Sequence, residues 1–483
     1  MLELTRDQMR ALGHRMVEMM IEHFATLRDK PVNVTGSRRA LASLVDAPPP
    51  DEGRPAGEVL GLLENAVFAN IGHVDHPRFF AFVPGPSNFV SAMAEALAAA
   101  HNVFAGSWLE GSGAAQLELT TIDWLREFCG FPEGAAGLFV SGGSMANLTA
   151  LAVARGAKLA DRPGGAAIYC SDQVHSSVER GLRVLGFARG QVRKLASDEN
   201  FRLSVDALAR QVAADRAAGL RPFCVVANAG TTNTGAVDPL DELADLCGRE
   251  DLWLHADGAY GAAAVLCGRG RALLEGLERV DSLALDPHKW LFQPFECGCL
   301  LVRDGALLER SFRILPDYLK DIHAGEDEVN FCDRGIQLTR NFRALKLWFS
   351  IQIFGLEAFR RAVERGFEVA EAVERLLRAR ERFEIVTPAQ LGILTFRYLP
   401  ETGDADRFNA ALARRIAEDG YLMLSTTMLR GRTVLRMCTI NPRTTDEEIA
   451  GVVERIETLA AELAGNWHRL RNDQQVEGIE PLE

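Results

Sequence analysis

Several features that would assign a chain to a special class are missing from this sequence. Its nine cysteines are scattered and include no Cys-x-x-Cys pair, which argues against a disulfide framework and against a structural zinc site. It has no apolar run long enough to cross a bilayer, and its first residues lack the basic and apolar regions of a secretion signal. We therefore expect a cytoplasmic protein without a membrane span and without a bound metal.

The charge of the chain is also one-sided. Its 483 residues carry 53 Lys and Arg against 66 Asp and Glu, a formal net charge of −13, and the basic residues form no run. A polyanion such as nucleic acid, or an acidic membrane surface, is therefore not an expected partner. Hydrophobic residues make up 47% and charged residues 25%, which is the balance of an ordinary folded protein with a large buried core.

Apolar residues recur at helical spacing near the start of the chain. They follow a capping box, Thr5 with Gln8, and predict an amphipathic helix up to about residue 27. A proline-rich loop over about residues 44–57 separates this region from the rest. We predict an N-terminal helical segment (1–75), a large cofactor-binding α/β domain (76–345) and a small C-terminal α+β domain (346–483).

Short apolar runs alternate with helical patterns over about residues 115–305, which predicts an α/β fold with a mostly parallel central sheet. The predicted strands are 137–140, 167–170, 223–227, 252–255, 282–285 and 298–302. Two more strands, 392–398 and 433–440, lie among long helices and predict the smaller domain. Ligands of parallel sheets bind at the carboxyl ends of the strands, so the residues that follow each strand are the candidates for chemistry.

A glycine-rich turn follows the first of these strands. Ser141-Gly-Gly-Ser144 leads directly into an apolar helix, and small residues there let backbone N–H groups approach an anion such as phosphate. The turn lacks the third glycine of a dinucleotide fingerprint and the Gly-Lys-Ser/Thr of a nucleotide-binding P-loop. Taken alone, it also fits a tight turn with a serine cap.

Three further candidates lie at other strand ends. Asp257 follows an apolar strand and precedes Gly and Ala, which leaves a carboxylate at the sheet edge with little bulk around it. Lys289 is followed by Trp, Leu and Phe, an apolar setting that favours the neutral amine. His175 follows another strand, with Ser176 and Glu179 spaced as a capping box. Each alone also fits a structural role: a strand cap, a surface charge or a hydrogen-bonded histidine.

Together the four features match the needs of one cofactor, pyridoxal 5'-phosphate. The turn would hold the phosphate, Asp257 would keep the pyridine nitrogen protonated, the ring of His175 would stack on the cofactor, and Lys289 would bond to it covalently. The combination is far more specific than any of its parts. We therefore interpret these strand ends as a single cofactor site.

At these residues the sequence resembles the pyridoxal-phosphate-dependent group II amino-acid decarboxylases, which include the aromatic-L-amino-acid, glutamate and cysteine-sulfinate decarboxylases. The family motifs are matched in order by Asp172-Gln-Val-His175-Ser-Ser, Ala229-Gly-Thr-Thr232, His255-Ala-Asp257 and Asp286-Pro-His-Lys289-Trp. The resemblance covers about residues 60–460 and implies the fold of PLP-dependent transferases (fold type I). It also implies a homodimer with active sites at the interface, N-terminal helices packed on the partner, and decarboxylation of an L-amino acid.

The resemblance further implies a role for each matched residue. Lys289, Asp257 and His175 would be catalytic. The implied cofactor-binding residues are Gly143, Ser144, His175, Thr232, Asp257, Asp286, His288 and Lys289. Asp286 stands where relatives often carry Asn. A transaminase of the same fold would use the same lysine and aspartate but release no CO2, and a catalytically silent scaffold would be expected to lack one of them.

One position departs from the family pattern. Counting back without a gap from Arg340 and Arg343 places Phe331 where aromatic-amino-acid decarboxylases have a loop tyrosine. A phenyl ring has no hydroxyl to return a proton to the α-carbon, and some relatives with Phe there react with O2 and release an aldehyde, ammonia and peroxide. This oxidative deamination is one alternative, and a shifted register in which His175, Tyr318 or water supplies the proton is another.

Aromatic side chains predict the substrate side of the site. The predicted pocket residues are Phe82, Pro84, Phe104, Trp108 and Phe331. They favour an aromatic substrate, with core packing as the plainer reading and a glutamate- or cysteine-sulfinate-type decarboxylase as the alternative enzyme. Gly85 and Gly106 stand where animal aromatic-amino-acid enzymes carry larger residues, which predicts a roomier pocket floor. Arg436 fits either a ligand of the substrate carboxylate or a brace of the dimer.

Overall fold

The computed structural model describes residues 2–160, 162–314, 325 and 327–470. Its central sheet consists of β1 (Ala136–Val140), β2 (Ala166–Ser171), β3 (Val192–Leu195), β4 (Arg221–Asn228), β5 (Trp253–Asp257), β6 (Ser282–Leu285) and β7 (Gly298–Val302). The spatial order is β1-β7-β6-β5-β4-β2-β3, and every pairing is parallel except the two that β7 makes with β1 and β6. The predicted α/β fold with a mostly parallel sheet is confirmed.

Strands β2, β5, β6 and β7 are buried along their whole length. Near-continuous apolar runs are typical of strands covered on both faces, which is why these strands could be predicted from composition. The six predicted strands agree with the structure to within two residues at either end. Strand β3 was missed because its four residues, Val-Arg-Lys-Leu, are only partly buried and carry two charges.

Fifteen α-helices lie in the described ranges. They are α1 (Arg6–Thr26), α2 (Arg38–Val45), α3 (Ala56–Leu62), α4 (Phe89–Ala100), α5 (Trp108–Phe128), α6 (Gly143–Leu159), α7 (Ser176–Val184), α8 (Val205–Ala217), α9 (Leu240–Glu250), α10 (Gly268–Leu273), α11 (Ala306–Phe312), α12 (Ala344–Phe354), α13 (Leu356–Arg378), α14 (Ala405–Asp419) and α15 (Asp446–Leu470). In the part of the chain that the structure describes, none of the helices combines the length and the apolar character of a bilayer span.

The first helix begins with the predicted capping box. The Thr5 hydroxyl accepts from the Gln8 N–H at 3.3 Å, and the Gln8 side chain accepts from the Thr5 N–H at 2.9 Å. No residue of α1 is buried in the single chain, and its large apolar side chains Met9, Met16 and Ile21 are exposed. The helix therefore stabilises little of this chain's own core.

A second, smaller sheet lies in the C-terminal part. It consists of β8 (Phe383–Gln390), β9 (Ile393–Tyr398), β10 (Ser425–Leu429) and β11 (Arg432–Cys438), in the antiparallel order β10-β11-β9-β8. Strands β9 and β11 were predicted. Strand β8 was missed because it contains Pro388, and β10 because it begins with three polar residues and only its last residue is buried. Phe80 packs in the core of this sheet. The division at residues 75 and 345 stays a prediction.

Candidate active site

A cavity of about 290 Å³ opens where several strands of the central sheet end. All eight residues predicted to bind the cofactor line it, namely Gly143, Ser144, His175, Thr232, Asp257, Asp286, His288 and Lys289. They follow or end β1, β2, β4, β5 and β6, and the carboxyl ends of these strands meet at one edge of the sheet. The sheet topology therefore brings together residues that are far apart in the sequence.

The glycine-rich turn is in close contact with the loop that carries the lysine. A Cβ atom at Gly142 would lie 2.9 Å from the His288 ring, and one at Gly143 would lie 2.9 Å from the Asp286 carboxylate. A Cβ atom at Gly298, the first residue of β7, would lie 2.4 Å from the Gly142 Cα. Only glycine leaves backbone N–H groups this open, and the first turn of α6 has no intrahelical acceptors for them. These residues fit a phosphate-bearing cofactor.

Lys289 is paired inside the cavity. Its Nζ lies 3.0 Å from Asp286 Oδ2, and the Asp286 side chain is only 2% exposed. The apolar setting predicted for the lysine belongs to Trp290, which is fully buried, whereas the lysine side chain is about one quarter exposed. In this chain, therefore, the lysine is held by a carboxylate and is accessible from the cavity.

His288 also contacts Asp286. Its Nδ1 accepts from the Cys297 N–H at 3.0 Å, and its Nε2 lies 3.5 Å from Asp286 Oδ2. Burial is the main cause that lowers the pKa of His288 below its usual value. The ring is therefore neutral at physiological pH and carries its proton on Nε2.

Asp257 has one donor on each carboxylate oxygen. Oδ1 accepts from the Ala259 N–H at 3.2 Å, and Oδ2 accepts from the Asn147 side-chain amide at 2.9 Å. The residue is 7% exposed and lines the cavity. A carboxylate offers about four acceptor positions, so Asp257 retains capacity to accept from a bound ligand.

His175 is the N-cap of α7. Its Nδ1 lies 2.7 Å from the Ser177 hydroxyl and accepts from the Ser177 N–H at 3.3 Å. The predicted capping box of Ser176 and Glu179 is wrong, because the histidine ring takes the capping role and Glu179 pairs with Lys194 at 2.7 Å. Burial is the main cause that lowers the pKa of His175. The neutral ring accepts at Nδ1 and carries its proton on Nε2.

The sequence analysis did not assign every cavity residue to the site. Among those it missed are Asn147, Ser177 and Asn228. Asn147 lies one turn into α6, where its neighbours on the buried face are small or apolar. A buried polar residue on an apolar helix face needs hydrogen-bond partners, and this was the available signal. Asn228 ends β4 and donates to Ser171 Oγ at 3.2 Å.

The predicted substrate residues are not among those that line the cavity of the single chain. Phe82 is 62% exposed, and its neighbour Val83 reaches the cavity instead. Pro84 is buried, Phe104 is half-buried, and Trp108 begins α5 with its N–H donating to Asn330 Oδ1 at 2.8 Å. Their assignment to the substrate side stays a prediction.

Phe331 is fully buried. Its ring packs against the Arg340 guanidinium at 4.9 Å and the Arg334 guanidinium at 5.6 Å. Arg340 is in turn bound to Glu118, at 2.6 Å, and both side chains are almost completely buried. In the single chain Phe331 therefore packs in the protein interior. Tyr318, the alternative proton donor, lies outside the described residues.

The structure does not leave the space that the two pocket glycines predict. A Cβ atom at Gly85 would lie 2.9 Å from the Phe295 ring, and one at Gly106 would lie 2.4 Å from the Leu338 carbonyl oxygen. Neighbouring groups of the single chain thus fill the space beside both glycines, and the roomier pocket floor stays a prediction. Arg436 is buried and braces the chain itself, because its Nε donates to the Thr232 carbonyl at 2.8 Å.

Comparison with known proteins agrees with this arrangement. The pyridoxal-dependent decarboxylase conserved domain matches residues 39–399. An aromatic-L-amino-acid decarboxylase of Bacillus atrophaeus is 51% identical over 96% of this chain and 98% of its own length. A phenylacetaldehyde synthase of Arabidopsis thaliana is 31% identical over 92% of this chain and 93% of its own length.

A solved structure is similar over nearly the whole chain. The crystal structure of Oryza sativa TDC with PLP and tryptamine superposes with a TM-score of 0.91 at 29% identity, and it covers 96% of this chain and 100% of that one. The resemblance predicted from the motifs, including the PLP-dependent fold and its cofactor, is confirmed. The chain belongs to the pyridoxal-dependent decarboxylase family and is a carboxy-lyase that uses pyridoxal phosphate.

Proposed function

We propose that this protein removes the α-carboxylate of an aromatic L-amino acid and releases the amine and CO2. The observation that carries the proposal is that Lys289, Asp257 and His175 line one cavity at the carboxyl edge of the sheet. The 51% identity to an aromatic-L-amino-acid decarboxylase supports the aromatic substrate class. Tryptophan, tyrosine and phenylalanine are the candidate substrates.

Each cavity residue has a proposed task toward the cofactor. Pyridoxal phosphate supplies an electron sink for the bond that breaks at the α-carbon. The first-turn N–H groups at Gly143 and Ser144, together with His288, hold the phosphate, and Thr232 lies beside the ring. Asp257 keeps the ring nitrogen protonated, because a carboxylate stabilises an adjacent positive charge. Lys289 is the covalent attachment point, and Asp286 holds its Nζ at 3.0 Å.

His175 is the proposed proton donor to the α-carbon. Its Nδ1 is occupied by Ser177, so the proton of the neutral ring lies on Nε2, the nitrogen that remains available to a ligand. Return of one proton to the α-carbon gives the amine. This assignment removes the need for a phenol on the loop, and it supports the amine as the product.

The second candidate is oxidative deamination to an aromatic aldehyde. Phe331 favours it, because no hydroxyl is present at the position where aromatic-amino-acid decarboxylases have a loop tyrosine. A phenylacetaldehyde synthase is among the relatives, at 31% identity. In the single chain, however, Phe331 is buried against the Arg340 guanidinium, and a ring in this position gives no support to the aldehyde over the amine.

A homodimer is part of the proposal. Helix α1 exposes Met9, Met16 and Ile21, and an apolar helix face without a core of its own is typical of a subunit contact. Of the predicted substrate residues, Phe82, Phe104 and Trp108 have exposed or partly exposed side chains and would then act at the interface between two chains. Light scattering should give twice the chain mass, and a monomeric mass would contradict this arrangement.

Product analysis tests the function directly. The purified holoenzyme is incubated separately with L-tryptophan, L-tyrosine, L-phenylalanine, L-glutamate and cysteine sulfinate, and CO2, amine, aldehyde, O2 and peroxide are quantified. We expect one amine per CO2 from at least one aromatic amino acid and no O2 uptake. Aldehyde with stoichiometric peroxide would select the second candidate. Amino-group exchange without CO2, or CO2 from L-glutamate or cysteine sulfinate alone, would contradict the proposal.

A further inference from the structure

One buried amide lies behind the Asp257 carboxylate. Asn147, on α6, is 1% exposed, and its Nδ2 donates to Asp257 Oδ2 at 2.9 Å and to Ser177 Oγ at 3.0 Å. Its Oδ1 lies 2.9 Å from His255 Nε2. Both amide hydrogens and the amide oxygen therefore have partners, and two of the three partners are linked to residues of the proposed catalytic set.

The contacts at the far end of the network agree with these hydrogen-bond directions. The Trp253 indole is a donor only, and its Nε1 donates to Ser282 Oγ at 2.9 Å. The Ser282 hydroxyl hydrogen is then free to go to His255 Nδ1, which lies 2.9 Å away. Burial lowers the pKa of His255 to about 4, so the ring is neutral and its single proton lies on Nε2. That N–H donates to Asn147 Oδ1, which turns the amide N–H toward Asp257.

The opposite orientation of the amide is excluded by chemistry. If the amide were flipped, Asn147 Oδ1 would face the Asp257 carboxylate and Nδ2 would face the His255 N–H. Acceptor would then meet acceptor and donor would meet donor, and both contacts are unfavourable between buried groups. The chain Trp253, Ser282, His255, Asn147 and Asp257 thus has one consistent set of donors and acceptors.

We propose that Asn147 is a positioning residue that holds the Asp257 carboxylate for the cofactor, and that neutral His255 sets the orientation of its amide. The inference rests on the proposed role of Asp257. A charge-assisted hydrogen bond from a fixed donor restrains the carboxylate in the direction it needs for its ligand. Asn147 touches neither substrate nor reacting atoms in this role, and it acts through Asp257.

The tautomer of His255 tests the network in the cofactor-free chain. Two-bond ¹H–¹⁵N spectra of ¹⁵N-histidine-labelled protein should show the proton on His255 Nε2. The His255 signal is identified as the one that is absent from the spectrum of His255→Gln. In Asn147→Leu, a nearly isosteric change, the Nε2–H loses its acceptor. The proton should move to Nδ1, because the Ser282 carbonyl oxygen lies 3.2 Å away. An unchanged tautomer in Asn147→Leu would overturn the inference.

Affinity for pyridoxal phosphate, measured by equilibrium dialysis, tests the effect on Asp257. Asn147→Leu should raise the dissociation constant roughly tenfold to a hundredfold, because one charge-assisted hydrogen bond is lost. His255→Gln keeps an N–H donor for Asn147 and should stay within about threefold of the wild type, whereas His255→Leu should bind as weakly as Asn147→Leu. Wild-type affinity in Asn147→Leu would overturn the inference.

Asn409 provides the matched control. It is also fully buried, and it bonds the Tyr398 backbone through both amide atoms at 2.9 Å, in the small C-terminal sheet. Asn409→Leu should lower thermal stability as Asn147→Leu does, and should leave both the His255 tautomer and the dissociation constant unchanged. Equal weakening in Asn409→Leu would trace the effect to general stability and overturn the inference.

Asp257→Ala separates this inference from the proposed function. Weak cofactor binding in Asp257→Ala together with normal binding in Asn147→Leu would contradict the positioning role alone. Normal cofactor binding in Asp257→Ala would contradict the proposed role of Asp257, and the inference would fail with it.

Discussion

The two sides of the cavity differ in how they are built. On the cofactor side, residues from five strand ends converge within one chain, and each is restrained by neighbours such as Asn147 behind Asp257 or Asp286 beside Lys289. On the substrate side, the predicted residues point elsewhere in the single chain: Phe82 is 62% exposed and Phe331 is fully buried. The sheet topology determines the first side, whereas the second depends on contacts that a single chain does not supply.

The buried ion pair beneath Phe331 gives the largest expected effect. Arg340→Met would leave the Glu118 carboxylate buried, with the Phe139 N–H as its remaining donor at 2.9 Å. The free energy of unfolding should fall by about 3 to 5 kcal/mol, because an uncompensated buried charge is costly. Urea titration followed by circular dichroism measures it. The double variant Glu118→Gln with Arg340→Met should recover part of the lost stability. A fall below about 1 kcal/mol in Arg340→Met would show that the buried Glu118–Arg340 pair does not stabilise this region as we expect.

Asp257→Ala tests the cofactor side at its centre. Turnover should fall by roughly two to three orders of magnitude, because no charge then stabilises the protonated ring nitrogen in the reaction. Steady-state CO2 release at saturating cofactor measures this effect separately from cofactor affinity. Asp286→Asn, which keeps a hydrogen-bond acceptor near Lys289, serves as the milder comparison. Near-normal turnover in Asp257→Ala would mean that the cavity is not organised as we propose.

Acid should lower the folding stability of the protein through both sides of the cavity, since each side has a buried neutral histidine. His76, in the segment that leads to Phe82, and His255, behind Asp257, each have a pKa lowered to about 4 by burial. The unfolded chain takes up these protons near pH 6.5 and the folded chain only near pH 4. Stability is therefore complete above about pH 6.5 and falls as the pH drops toward 4, by up to roughly 3 kcal/mol for each histidine.

Single variants separate the two contributions to this acid sensitivity. In the wild type, the Arg78 N–H donates to His76 Nδ1 at 2.9 Å. His76→Asn keeps an acceptor for this N–H, but the asparagine side chain does not titrate. Urea midpoints between pH 7 and pH 5 should fall less in this variant than in the wild type. If the urea midpoint falls equally with pH in the variant and in the wild type, the acid sensitivity belongs to other groups.

Phe331→Tyr gives the smallest expected effect and bears most directly on the substrate side. In the described packing the added hydroxyl enters a full site, so the free energy of unfolding should fall by roughly 1 to 3 kcal/mol. We expect the ratio of amine to CO2 to stay the same. Less peroxide and more amine would show instead that this ring reaches a cavity in the assembled enzyme, and would favour the aldehyde alternative for the wild type.

The sequence analysis succeeded where a local signal was enough. Strand ends followed by a glycine-rich turn, a histidine, an aspartate or a lysine pointed to residues that all line the cavity, since parallel strands place such residues at one edge whatever their order. The strand order itself and β3 were not predicted, because pairing depends on distant segments. Asn147 was missed because its partners Asp257 and His255 lie more than 100 positions away along the chain. Phe331 was assigned to the substrate side by alignment alone. Its buried packing was not predicted, because the ion pair it contacts joins Glu118 to Arg340 across 222 positions.

Strand β7 has a further consequence for motion. It runs against the other strands, it is paired with β1 on one side and β6 on the other, and Gly298 at its start lies against Gly142. The loop that carries Lys289 is thus anchored at both ends in the middle of the sheet. Opening it locally requires two ladders to separate, so the hydrogen-bonded backbone amides of Asp286, His288 and Lys289 should exchange slowly with solvent. We therefore expect Lys289 to lie in a segment that opens less readily than the exposed loops of the chain.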